Sequence, residues 1–169
     1  MNIALVGLPG SGKSTIAKHL ARRLGLSIFD SDHEIEQQIG CSISNYFGIY
    51  GEESFRAIES KMLDRLTLME GVLSTGGGSV LLAVNRDYLR QRSFVVYLRC
   101  TPDEVFKRVR HDRARPLLQV NDPLHKLQEL YLARDSLYRE VACLVVDTGK
   151  PTVANLVTQI IDQLASLKS

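Results

Sequence analysis

Nine residues near the start of the chain, Gly7-Leu8-Pro9-Gly10-Ser11-Gly12-Lys13-Ser14-Thr15, match the spacing G-x-x-x-x-G-K-[ST]. Glycines at these positions let the backbone curl so that successive N–H groups point inward, and the helix that follows adds its positive end. Lys13 has the reach to meet β- and γ-phosphates, and the Ser14 hydroxyl is placed to ligate Mg²⁺. Average residue usage gives only about 0.006 accidental matches in a chain of this size. The segment therefore predicts a nucleoside triphosphate site formed by Gly10, Ser11, Gly12, Lys13, Ser14 and Thr15.

Other residues with chemical capacity stand after later apolar runs. Asp30 and Asp32 end the run Ile28-Phe29-Asp30-Ser31-Asp32; two apart on an extended segment, they would face one side. One could hold Mg²⁺ through water while the other meets a substrate hydroxyl; a helix cap at Ser31 or Asp32 is the plainer alternative. Gly76-Gly77-Gly78 stands where many phosphate-loop proteins carry an aspartate, and would let a ligand approach the backbone closely. Arg56 and Glu59, three apart, could be a surface ion pair, or Glu59 could orient the Arg56 fork towards a carboxylate. The segment Lys107–Leu118 is densely basic, holds Arg108 and Arg115, and breaks at Pro116. It reads as a lid able to carry an arginine onto phosphates, and its lack of interleaved aromatics argues against single-stranded nucleic acid. Arg134 lies in an otherwise amphipathic stretch, where an exposed arginine would be unremarkable. His19, His33, His111 and His125 show no metal-ligand spacing.

The elements that must position these residues follow from hydrophobic patterning. Asn2–Val6, Leu26–Phe29, Val72–Thr75, Phe94–Leu98 and Leu144–Val146 are continuously apolar, as strands buried on both faces of a parallel sheet are. Between them run the amphipathic stretches Ser14–Leu24, Ser54–Met69, Pro102–Val109, Pro123–Val141 and Thr152–Leu167. This alternation predicts a three-layer α/β/α fold with right-handed crossovers and ligands at the carboxyl ends of the strands. With 169 residues, 44% hydrophobic and 24% charged, and no repeat or linker, residues 1–169 read as one globular domain. No apolar run is long enough to span a membrane, and the first residues lack the pattern of a signal peptide. Lys and Arg number 21 against 19 Asp and Glu, so there is no global field for a polyanion and anion binding must be local. Cys41, Cys100 and Cys143 lack metal spacing and read as reduced, mostly buried thiols of a cytoplasmic protein.

Taken together, GLPGSGKST, FDSD, GEESFRAIE, TGGG, RPLL and ARDSLYREVA, in this order over essentially the whole chain, resemble the shikimate kinase family. The resemblance implies a P-loop fold of the nucleoside-monophosphate-kinase type with a five-stranded parallel sheet. It also implies a substrate-binding region at about 31–60 and a lid at about 110–123. The implied reaction is ATP-dependent phosphorylation of the shikimate 3-hydroxyl, a cytoplasmic step towards chorismate and the aromatic amino acids, with Mg²⁺ as cofactor and a monomer as the working unit. On this reading Gly10–Thr15 hold the ATP phosphates, Ser14 and Asp30 serve the metal, and Asp32 meets the shikimate hydroxyls as base. Arg56 and Arg134 hold the substrate carboxylate together with Gly76, Gly77 and Gly78. Arg115 reaches the phosphates, while Arg108 and Lys150 contact the adenine side.

Competing readings remain at this point. Gluconate also carries one carboxylate and several hydroxyls, so a gluconate kinase is an alternative, although FRxxE and the triple glycine favour shikimate. A nucleoside monophosphate kinase fits the single Asp pair and two arginines less well. A regulatory protein that had lost catalysis should lack one of Lys13, Asp32, Arg56 or Arg115, and all are present. A GTP switch should carry an N/T-K-x-D segment, which does not occur.

Overall fold

The computed structural model describes residues 1–110, 120–149 and 151–167. The strands are β1 (Asn2–Val6), β2 (Ile28–Asp30), β3 (Gly71–Ser74), β4 (Phe94–Arg99) and β5 (Leu144–Asp147). They form one parallel sheet in the order β2-β3-β1-β4-β5. The helices are α1 (Lys13–Leu24), α2 (Ser31–Ile39), α3 (Ile43–Leu66), α4 (Ala83–Arg92), α5 (Pro102–Val109), α6 (Pro123–Val141) and α7 (Val153–Leu167).

Continuous apolarity has the expected cause in the inner strands β1, β3 and β4, whereas the edge strands β2 and β5 are covered only in part and keep Ile28 and Val145 exposed. Every residue of β1 is buried, with Ala4 and Val6 in one core and Ile3 and Leu5 in the other. The larger core joins them to Ile35, Phe55, Leu63, Leu89, Leu127 and Tyr138 under α2 to α6. The second core packs them under α1 and α7 through Ile16, Leu20, Leu156 and Ile160. Each such side chain stabilises the fold by about 1.5–3 kcal/mol relative to exposure.

Helix boundaries follow capping chemistry. Ser42, Thr101 and Asp122 accept hydrogen bonds from backbone N–H groups of their own first turns, and Pro102 and Pro123 occupy positions where no N–H is needed. Two helices go beyond the periodic stretches. In α2 only Ser31 and Ile35 are buried, and in α4 only Asn85 and Leu89, too few to write a clear period. Helix α3 also begins earlier than residue 54 and bends at Gly51, whose φ of 84° is left-handed. Of the three thiols only Cys100 is buried; Cys41 is half-buried and Cys143 exposed, because the end of α6 leaves Cys143 at the surface. The expectation of mostly buried cysteines therefore holds for one of them. Among the described residues, no helix is long and apolar enough to cross a membrane.

Candidate active site

The carboxyl ends of β1, β2 and β3 meet where the chain turns from one half of the sheet to the other. One cleft there is lined by Gly12, Lys13, Ser14, Asp30, Asp32 and Gly76 among others. After β1 the backbone turns through Gly10 and Gly12, with φ of 81° and 95°, and enters α1. Gly12 is the N-cap and supplies no side-chain acceptor, so the first-turn N–H groups remain open to an anion. Lys13 is buried, and its ammonium donates to the carbonyls of Gly7 and Leu8 at 2.8 and 2.9 Å. The cation is therefore held inside the loop that would receive phosphates.

Asp30 and Asp32 converge on this loop by a route other than extended spacing. Asp30 is the last residue of β2 and also the N-cap of α2, accepting from the His33 N–H at 3.1 Å. Asp32 lies in the first helical turn. The capping alternative and the functional one thus coincide, with Asp30 rather than Ser31 or Asp32 as the cap. The Ser14 hydroxyl donates to Asp30 Oδ2 at 3.2 Å, bringing together two hard oxygen donors of the kind Mg²⁺ accepts alongside water and phosphate. The carboxyl of Asp32 is pushed up to about 6, chiefly by burial and then by Asp30, with Lys13 opposing. Apart from its backbone cap, His33 is exposed and adds nothing to the cleft.

The triple glycine is required by close approach. None of its members has a positive φ. A Cβ on Gly76 would stand 2.6 Å from Asp32 Oδ1, one on Gly77 2.8 Å from the Pro9 ring, and one on Gly78 would overlap the Arg56 guanidinium. The loop is thereby pressed against the phosphate loop, the acidic residue and the arginine at once. Its first N–H donates to the buried Ser31 hydroxyl at 3.1 Å, so this donor serves the protein and not a ligand.

Arg56 and Glu59 are no surface pair. Glu59 is 1% exposed and accepts from Arg56 at 2.9 Å, while Phe47 and Phe55 flank the guanidinium. Burial pushes the Glu59 carboxyl up, with Arg56 first and Arg134 further down among the opposing charges. Arg134 is half-buried on α6, and its charge also favours the ionised Glu59, although the contact with that carboxylate is made by Arg56. Arg108 donates to the carbonyls of Ser11 and Thr148 at 3.1 and 2.7 Å, joining the phosphate loop to the segment after β5. Arg115 and Lys150 lie outside the described residues, as does most of the lid predicted at about 110–123. The sequence offers Ser31 only as a helix cap and Pro9 only as a spacer in the phosphate loop; their contacts with the distant glycine loop leave no trace in local spacing.

A parallel sheet ordered 2-3-1-4-5 with a G-x-x-x-x-G-K-S loop between β1 and α1 defines a P-loop phosphotransferase of the nucleoside-monophosphate-kinase type. The family model for shikimate kinase matches residues 9–165. Curated relatives agree: the shikimate kinase of Ralstonia nicotianae is 51% identical over 96% of this chain and 86% of its own length. That of Paracidovorax citrulli is 52% identical over 97% and 92%. The structure of shikimate kinase from Acinetobacter baumannii in complex with shikimate superposes with a TM-score of 0.94 at 43% identity, covering 99% of this chain and 94% of that one. A gluconokinase from Sinorhizobium meliloti, at 22% identity and a TM-score of 0.67, shares the fold alone. The chain belongs to the shikimate kinase family.

Proposed function

We propose that the cleft transfers the γ-phosphoryl group of ATP to the 3-hydroxyl of shikimate, giving shikimate 3-phosphate and ADP, by the following division of labour. Family membership makes the chain a shikimate kinase of the route to chorismate and the aromatic amino acids. The observation that supports the site assignment is the meeting of Lys13, Asp30, Asp32 and Gly76 in one cleft, with Arg56 and Arg134 beside it.

Gly10, Ser11, Gly12, Lys13, Ser14 and Thr15 bind the triphosphate through backbone N–H groups, the ammonium and the end of α1. Lys13 exchanges loop carbonyls for phosphate oxygens, so its charge is in place before the nucleotide arrives. Ser14 and Asp30 would hold Mg²⁺, which when bound neutralises phosphate charge and orients the γ-group. Arg56 and Arg134 grip the shikimate carboxylate, with Gly76, Gly77 and Gly78 forming the adjoining wall, packed directly against Arg56 at Gly78. That grip directs the 3-hydroxyl towards Asp32, which accepts its proton as the new O–P bond forms and the bond to the β-phosphate oxygen breaks. A carboxyl near 6 is mostly ionised at neutral pH yet basic enough to take up a proton. Because the transition state is loose, positioning and charge neutralisation supply most of the rate. Arg108 supports the nucleotide side together with Lys150, and Arg115 meets the transferring group from the lid; for Arg115 and Lys150 the support is the sequence and the family resemblance.

We take a monomer as the working unit, to be checked by sedimentation. Unpaired thiols and near-balanced charge support a cytoplasmic enzyme of small anions, without nucleic-acid or membrane partners. The deciding experiment is a coupled assay for ADP with purified chain, ATP, Mg²⁺ and shikimate. Shikimate-dependent turnover abolished by EDTA is expected; turnover with gluconate or a nucleotide instead would overturn the assignment.

A further inference from the structure

Behind the carboxylate grip lies a pair of tyrosines outside the transfer chemistry. Tyr138 on α6 is fully buried, and its hydroxyl donates to the Gly77 carbonyl at 2.5 Å. Tyr97 on β4 stacks against it, with ring centroids 5.0 Å apart, and donates to Asp135 at 2.7 Å. Tyr138 follows Arg134 by one helical turn, so both stand on the same face of α6. The Arg134 guanidinium lies beside the Tyr138 hydroxyl and partly offsets the burial that pushes this phenol up to about 12. The phenol therefore stays protonated and keeps its hydrogen for Gly77. A phenol has one hydrogen and also accepts. With the hydrogen on Gly77, its oxygen is left to receive an Arg134 N–H.

We propose that Tyr138 is a positioning residue for shikimate: its buried hydroxyl ties the Gly77 carbonyl and the Arg134 guanidinium to one point. The separation between glycine wall and arginine is then set before substrate enters. This rests on the reading of Arg134 and Gly77 as substrate contacts. An arginine that must be ordered on binding costs affinity through lost rotamer freedom, and one already held does not. Loss of the hydroxyl releases Arg134 and leaves a carbonyl without its donor, while Asp32 and the phosphate loop remain intact. The effect falls on substrate capture and not on the chemical step.

Tyr138→Phe keeps the ring stack, and circular dichroism checks its fold. It is expected to raise the KM for shikimate about tenfold, the loss of one hydrogen bond to a charged group. Turnover and the KM for ATP should stay within about twofold of the parent on the same reasoning. Tyr97→Phe deletes the other hydroxyl of the same ring pair, lowers thermal stability, and should leave the KM for shikimate within about twofold. In an Arg134→Ala background, itself raised in that KM, Tyr138→Phe should add less than about threefold. An unchanged KM in folded Tyr138→Phe, an equal rise in Tyr97→Phe, or a full tenfold rise persisting without Arg134 would each overturn the proposal. If Arg134→Ala alone leaves the KM for shikimate unchanged, the carboxylate grip itself fails and this proposal falls with it.

Discussion

Replacing Asp32 by Asn is expected to make the protein more stable and far less active, and the site sets the size of both effects. The Asp32 carboxyl is raised from an ordinary 3.8 to about 6, first by burial and then by Asp30, with Lys13 and Arg56 opposing. Its folded value thus lies above its unfolded one. Between about pH 4 and pH 6 the folded chain keeps a proton that the unfolded chain has released, so stability from this group falls as pH rises through that window. Two pH units correspond to about 3 kcal/mol. Partial solvent exposure screens this to about 2 kcal/mol. Asparagine keeps the shape without the charge. The difference in unfolding free energy between Asp32→Asn and the parent should therefore open between about pH 4 and 6 and level near 2 kcal/mol at neutral pH. Urea unfolding followed by circular dichroism at half-unit pH steps, in EDTA and without nucleotide, measures it directly. In the same variant, turnover should fall about a hundredfold or more while ATP affinity changes little. A difference that is flat with pH, or an Asn variant less stable at neutral pH, would refute the electrostatic argument. Equal losses of turnover and ATP affinity would refute the role of Asp32 at the hydroxyl.

Arg56→Ala strips Glu59, 1% exposed, of its 2.9 Å partner. It should cost about 2–3 kcal/mol in chemical unfolding, held to that by Arg134, and raise the KM for shikimate. Adding Glu59→Gln should restore part of the stability and none of the KM. Gly76→Ala forces a methyl to within 2.6 Å of Asp32 Oδ1 and should lower turnover about tenfold or more with the KM for ATP nearly unchanged, as steady-state kinetics would show. Arg108→Ala severs the link from Ser11 to Thr148. It should raise the KM for ATP about tenfold and leave that for shikimate within about twofold, read in the same ADP assay.

Short-range order was written openly in the chain. The phosphate loop is legible because one loop's backbone performs its task, so all its constraints fall within nine neighbouring positions. Inner strand runs are legible because burial on both faces removes polar residues locally, as β1 shows, while the edge strands β2 and β5 are apolar runs that the sheet covers only in part. The acidic pair was visible as residue types, yet its geometry was not: a strand end that is also a helix cap replaces the extended spacing that Asp30 and Asp32 suggested. Helices α2 and α4 leave no clear period in the sequence since each buries only two residues, and their register comes from neighbours instead.

What only the tertiary structure decided is who stands beside whom. Gly76, Gly77 and Gly78 read as a ligand approach, whereas the space their missing side chains leave is taken by Asp32, Pro9 and Arg56. Ser31 meets Gly76 across 45 residues, and Tyr138 meets Gly77 across 61. Sequence alone determined the residue chemistry and the alternating strands and helices, because periodicity and phosphate-loop hydrogen bonding act between near neighbours. The burial of Glu59 beneath Arg56, the raised carboxyl of Asp32 and the bond from Tyr138 to Gly77 arise when distant segments exclude water together, and that is a property of packing.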